Sequence, residues 1–326
     1  MMGVVGSRGI IINLFTNLSM QKKYIIGIVL GIAFIGLLTL VIKHRGPTQV
    51  TSSGKIQVTT SFYPLYYFAS QIGGDKASVT NITPAGAEPH DYEPTPSDVA
   101  SIENSKLLIL QGTGLEAWGD DIKKNIDPSH TTVVIAGQEF MTQTVVEDGE
   151  SITDPHVWLS PPLASKMAEK ILAGFITVDP SNTEYYQANE AKLKSDLANL
   201  NVEYKQGLAS CASKDIVTSH AAFGYLATAY GLHQVPISGV SPDAEPSPKQ
   251  LADVADFVKK NGVKYIFFES LVSPKLSETI ARETGAQTMV LDPIEGIIQN
   301  DLAKGIDYMA VMRSNLKNLE TVLQCK

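Results

Sequence analysis

Cysteine is scarce in this chain: there are two in 326 residues, Cys211 and Cys325, and neither stands in a Cys-x-x-Cys pattern. A paired-cysteine metal or redox motif is therefore excluded, and the two read either as buried thiols or as one disulfide formed in an oxidising compartment. Histidine is limited to six positions. No HExxH helix of the metalloprotease kind is present. Acidic residues are missing altogether from the first 54 positions, which carry Arg8, Lys22, Lys23, Lys43 and Arg45 and leave 21 basic against 34 acidic residues in the remainder. That balance argues against nucleic acid as a partner and suits a soluble acidic domain that tolerates cations.

Residues 24 to 42, "YIIGIVLGIAFIGLLTLVI", carry no charge. A helix of that length crosses a bilayer core, which needs roughly 17–25 residues. The run exceeds the usual apolar region of a signal peptide, about 7–15 residues, and neither a lipobox cysteine nor a clear A-x-A site follows it. It reads as an uncleaved transmembrane signal anchor, with residues 1–23 before it and a polar linker at 43–55. Lys22 and Lys23 are balanced by Lys43 and Arg45, so charge does not set the orientation. Met20 is an alternative start.

From residue 56 short apolar runs alternate with helical patterns, which predicts an α/β fold with largely parallel sheets. "IQVTTS", "VTNIT", "KLLILQ" and "TTVVIA" read as strands of a first lobe, residues 56–181. "DIVTS", "QVPIS", "VKYIFFE" and "AQTMVLD" read as strands of a second, 211–326. Helix starts are marked by Thr95-Pro96, Ser247-Pro248 and Ser273-Pro274, each a hydroxyl N-cap followed by proline in the first turn. Between the lobes, Leu193, Leu197, Leu200, Tyr204 and Leu208 keep helical spacing, predicting one long connecting helix across 182–210. Such a rod limits hinge motion. "GTG" at 112–114 reads as a tight turn, and Trp118 and Trp158 as core or lobe-interface residues.

Four prolines in "PAGAEPHDYEPTPSD", residues 84–98, force an irregular, stiff connection around His90. His156 lies in "TDPHVWLSP"; His220 follows the strand "DIVTS", and Asp292 ends the strand "AQTMVLD". Strand carboxyl ends are where open α/β sheets bind ligands. The helix expected after His220 would favour its neutral, metal-ligating form. His44, His130 and His233 lack such contexts and read as solvated.

Five segments, "EPHDYEPTPSD", "DPHVWLSP", "SHAAFGYLATAYGL", "PDAEPSPKQLADV" and "VLDPIEG", run in order over about residues 56 to 325. They closely resemble the metal-binding solute-binding proteins of ABC importers, the family of zinc- and manganese-uptake receptors. The resemblance implies an ion held in the cleft between two lobes by His90, His156, His220 and Asp292. Three imidazoles and a carboxylate suit Zn2+, with Mn2+ (or iron) the alternative. It further implies pairing of Cys211 with Cys325, no catalytic step, and delivery to an ABC permease driven by its ATPase. A monomer is expected, held to the cell membrane by the N-terminal helix with its binding domain extracytoplasmic. Glu269 is a candidate to support a ligand from behind. The segment between the first two ligands departs from many zinc receptors, being short and without histidine; Glu139, Glu147, Asp148 and Glu150 read as a solvated acidic loop. A surface adhesin and, less favoured, a zinc hydrolase are the competing classes.

Overall fold

The computed structural model describes residues 54–147 and 149–326. The expected anchor at 24–42, its flanks, His44 and Asp148 lie outside the described residues. Among the described residues no helix is long and apolar enough to cross a membrane.

In chain order the strands are β1 (Ile56–Thr60), β2 (Ala77–Asn81), β3 (Leu107–Leu110), β4 (Thr132–Ile135), β5 (Thr144–Glu147), β6 (Glu150–Thr153), β7 (Asp215–Thr218), β8 (His233–Pro236), β9 (Tyr265–Phe268) and β10 (Gln287–Val290). The helices are α1 (Tyr63–Gly73), α2 (Pro96–Glu103), α3 (Gly119–Asn125), α4 (Pro161–Val178), α5 (Thr183–Gly207), α6 (Gly224–Tyr230), α7 (Pro248–Asn261), α8 (Lys275–Thr284), α9 (Gln299–Leu302) and α10 (Tyr308–Leu323). Two parallel four-stranded sheets result, ordered β2-β1-β3-β4 and β10-β9-β7-β8, with an antiparallel hairpin β5-β6 between them in sequence. Central strands buried on both faces read as unbroken apolar runs, as β3, "LLIL", does with all four residues buried.

Local chemistry starts several helices where expected. Thr95 and Asp98 form a reciprocal capping box on α2, and Ser247 Oγ accepts the Gln250 amide at the start of α7. Ser273 does not cap: α8 begins at Lys275, with Pro274 in the N-cap position and its carbonyl accepting the Glu278 amide. The connecting helix α5 spans 25 residues, preceded by a 3-10 turn at Pro180–Asn182. Its Leu193, Leu197, Leu200 and Tyr204 are buried in one apolar cluster that also takes in Phe62 and Trp158 from the first half and Phe267 and Met312 from the second. Cys211 and Cys325 are joined in a disulfide, tying the segment before β7 to the residue beyond α10.

The segment expected as a solvated acidic loop is the β5-β6 hairpin. Glu147 accepts the backbone N–H of Val240 and packs against Gly239, and Glu139 pairs with Lys170 at 2.6 Å. Trp158 is fully buried and Trp118 half-buried. His130 and His233 are exposed; His233 Nδ1 lies 2.9 Å from Asp215.

Candidate metal centre

His90 sits in the proline loop between two tethers. A turn closed by the Ala87 amide on the Pro84 carbonyl precedes it, and Tyr92 donates its hydroxyl to Asp98 Oδ2 at 2.7 Å, fastening the far side to the cap of α2. His156 follows β6 and leads into a 3-10 turn at Val157–Leu159. Its ring centroid is 5.0 Å from that of the buried Trp158. His220 lies just past β7, its carbonyl accepting from Thr218 Oγ1 and Gln234 Nε2.

The three imidazoles converge. His156 Nε2 is 3.4 Å from His90 Nε2 and 3.3 Å from His220 Nε2. The fourth member is Glu295, whose Oε1 is 3.0 Å from His156 Nε2, 3.4 Å from His90 Nε2 and 3.3 Å from His220 Nε2. All four donor atoms lie within 4.8 Å of one another.

Asp292, the fourth ligand expected from the sequence, is not brought into this cluster. Its Oδ2 accepts from Ser270 Oγ, and its Oδ1 accepts the Ile294 amide at 2.7 Å. Asn315 clamps its backbone, accepting its N–H at 2.9 Å and donating to its carbonyl at 2.7 Å. Asp292 thereby closes a tight turn in which Ile294 takes φ 58°, a left-handed conformation rare for a β-branched residue. That turn aims the next side chain, Glu295, at the histidines. "VLDPIEG" offers two carboxylates three residues apart, and only the fold selects between them.

Two further carboxylates stand behind the rings. His220 Nδ1 lies 2.6 Å from Glu269 Oε1, and His156 Nδ1 lies 2.8 Å from Asp154 Oδ1. A carboxylate oxygen accepts, so each Nδ1 carries a proton and each Nε2 faces the centre. This is the support a metal-ligating histidine ordinarily has. Asp154 was missed in the sequence, although Asp-x-His in "TDPHVW" was visible.

Electrostatics follow from this crowding. Burial opposes charge on His220 and His156, yet Glu269 and Glu295 hold His220 well above the usual imidazole range, and Asp154 and Glu295 hold His156 above it. The helix expected to keep His220 neutral starts only at Gly224, and the adjacent carboxylates prevail. Burial likewise disfavours charge on Glu295, but His220, His156 and His90 bring it well below the carboxylate range. His90 is lowered, chiefly by burial. Asp292 is raised to about 6 by burial, with Ser270 and the Ile294 amide pulling the other way.

A zinc–nitrogen or zinc–oxygen distance of about 2.0–2.1 Å implies a regular tetrahedron with edges of about 3.3 Å. The five donor–donor distances above, 3.0–3.4 Å, match that spacing.

Comparison with known proteins gives the same direction. The high-affinity zinc uptake system protein ZnuA of Bacillus subtilis is 39% identical over 283 residues, covering 83% of this chain and 89% of that protein. The zinc-bound ZnuA-like domain of Streptococcus pneumoniae AdcA superposes with a TM-score of 0.71 at 39% identity, covering 83% of this chain and 99% of that domain. This chain spans only 56% of full-length AdcA proteins such as that of Streptococcus pyogenes. The laminin-binding protein Lmb of Streptococcus agalactiae, described as a bifunctional adhesin and metal transporter, superposes at 0.75 with 37% identity, covering 82% of this chain and 99% of Lmb. The profile described as "Zinc-uptake complex component A periplasmic" matches residues 58–322, so the chain belongs to that family.

Proposed function

We propose that this protein is the extracytoplasmic receptor of an ABC zinc importer, capturing Zn2+ at His90, His156, His220 and Glu295 and passing it to a permease powered by a separate ATPase. The observation that carries this reading is the convergence of three imidazole nitrogens on one carboxylate oxygen, with five of the six donor pairs at 3.0–3.4 Å, the edge length of a zinc tetrahedron. Nitrogen-rich donor sets favour zinc over manganese, which prefers oxygen; Mn2+ is the secondary cargo. A catalytic zinc keeps an open position for water, whereas four converging protein donors fill a tetrahedral sphere. The cargo is therefore bound and released without chemical change.

The same reading places the lobes at residues 56–181 and 211–326 around the 182–210 connector, the chain as a monomer, and residues 24–42 as its single-pass membrane anchor. Its test is metal analysis of untagged residues 55–326 with competitive Zn2+ and Mn2+ titration. One tightly held zinc per chain, poorly displaced by manganese, is expected; tight manganese with weak zinc overturns the selectivity, and no tight metal overturns the receptor. The likeness to Lmb favours a second reading, adhesion to laminin, which solid-phase laminin binding by wild type and by a triple-histidine variant would separate from metal capture.

A further inference from the structure

Gly224 opens α6, four residues past His220, and its backbone does not call for a glycine: it is helical, with a negative φ that any residue adopts. What the position requires is space. A Cβ there would stand 2.6 Å from Gln143 Oε1 and 2.8 Å from Asp154 Oδ2, closer than real Cβ contacts come. Gln143 ends in a flexible amide that can swing aside. Asp154 cannot: it is short and 1% exposed, and its Oδ1 accepts both the amide and the Nδ1 proton of His156, at 2.9 and 2.8 Å.

The residues after Gly224 grip the same place. The buried Tyr225 hydroxyl accepts the Gln143 amide and donates to the Asp154 carbonyl, both at 3.0 Å. Gln143 Nε2 donates to Thr228 Oγ1 at 3.0 Å, and the Asp154 amide donates to the Gln143 carbonyl at 3.0 Å, closing the base of the β5-β6 hairpin. The start of α6 is thus seated on that base. One side of the junction leads in two residues to His156 and the other in four to His220, whose Nε2 atoms stand 3.3 Å apart.

We propose that the contact of Gly224 and Tyr225 with Asp154 is the brace that sets His156 against His220, which makes both of them positioning residues for zinc although neither belongs to the four-donor cluster. A side chain at position 224 pushes Asp154 off α6. The His156 ring moves with the carboxylate, because one oxygen holds both its backbone amide and its Nδ1. Such support from behind a ligand is what fixes the direction of its metal-facing nitrogen. The proposal rests on the receptor reading and names what aligns two of its donors.

The test is zinc affinity by chelator competition for wild type, Gly224→Ala, Asp154→Ala, their double variant and Tyr225→Phe, each first shown to unfold cooperatively in urea. Gly224→Ala weakens zinc about tenfold, the low end for losing a group that orients a ligand, and Asp154→Ala weakens it at least as much. In the Asp154→Ala background the obstructed oxygen is gone, so adding Gly224→Ala changes affinity by less than about twofold. Tyr225→Phe keeps the ring, needs no extra space and weakens zinc about fivefold, the order of one net hydrogen bond. It carries the test if Gly224→Ala does not fold. The same loss from Gly224→Ala with and without Asp154 overturns the brace, because the substitution then acts through the general packing of α6 and not through the support of His156. Affinity within about twofold of wild type in any single variant overturns it as well. If wild type itself takes up no zinc, the receptor reading fails and the brace falls with it, an outcome visible before any variant is compared.

Discussion

At the scale of single residues, the division of labour between Asp292 and Glu295 is the sharpest consequence of the geometry. Glu295→Gln removes the only charged donor from the four-atom cluster, and zinc affinity is expected to fall at least about a hundredfold, the upper range for loss of a supporting metal-site group. Asp292→Asn keeps the turn's size and one accepting oxygen, so its loss should stay within about tenfold. Competitive chelator titration of the two variants decides this, and a larger loss in Asp292→Asn would reverse the assignment. Acidification gives a second check. Metal requires unprotonated Nε2 atoms, and His156 and His220 hold protons more firmly than a free imidazole. Affinity should therefore be greatest at high pH and begin to fall while the pH is still above about 6.5, with a slope approaching two protons per ion. His90, lowered by burial, adds a third proton only below that. Titrations from pH 8 to 5 that gave a flat affinity would rule out imidazole ligation. The three histidines were legible because proline-bounded loops and strand ends are places that hold a ring still. Glu295 was not, because its direction depends on the left-handed Ile294 and on Asn315, a residue 20 positions further along.

At the scale of elements, the two sheets were readable from apolar runs and hydroxyl-proline caps, whereas the β5-β6 hairpin was not. Its strands, "TVVE" and "ESIT", are short, half-exposed and carry acid at the turn, so composition alone reads as a loop. What makes it a hairpin is tertiary: Glu147 finds the Val240 amide, and the Gln143 amide donates to Tyr225 at 3.0 Å. Trp158 performs a similar service next to the site. Its indole N–H donates to the Pro293 carbonyl at 2.7 Å, and its own carbonyl accepts the Tyr308 hydroxyl, so a single residue in the turn at Val157–Leu159 fixes the turn that carries Glu295. Trp158→Phe keeps most of the buried ring and deletes the donor, leaving the Pro293 carbonyl without it. A loss of about 1–3 kcal/mol is expected in denaturant unfolding of the apoprotein. Zinc affinity should fall with it, and unchanged affinity alongside the stability loss would show that the turn holds its shape without Trp158.

At the scale of the whole molecule, the metal site draws on both halves while the disulfide closes the second half on itself, and the two sit at opposite ends of the second sheet. The site lies beyond the carboxyl ends of β7 and β10, whereas the Cys211–Cys325 bridge lies before the amino end of β7. The bridge restricts the unfolded chain by closing a loop with a sequence separation of 114. In the chain-entropy account such a loop is worth about 4–5 kcal/mol, and losses on removing native disulfides run to about 2–5 kcal/mol. The long helix α5 already binds both halves through one continuous apolar cluster, so the folded arrangement does not depend on the bridge for its shape. The Cys211→Ser/Cys325→Ser variant should therefore unfold at distinctly lower denaturant with zinc affinity within about threefold of wild type, since the free energy is removed from the unfolded state and not from the site. Urea unfolding and chelator competition on the same preparation test both halves of that statement. A drop in affinity as large as the drop in stability would mean that the bridge shapes the metal site across the sheet; equal stability with and without it would mean that α5 and the shared core already carry the constraint.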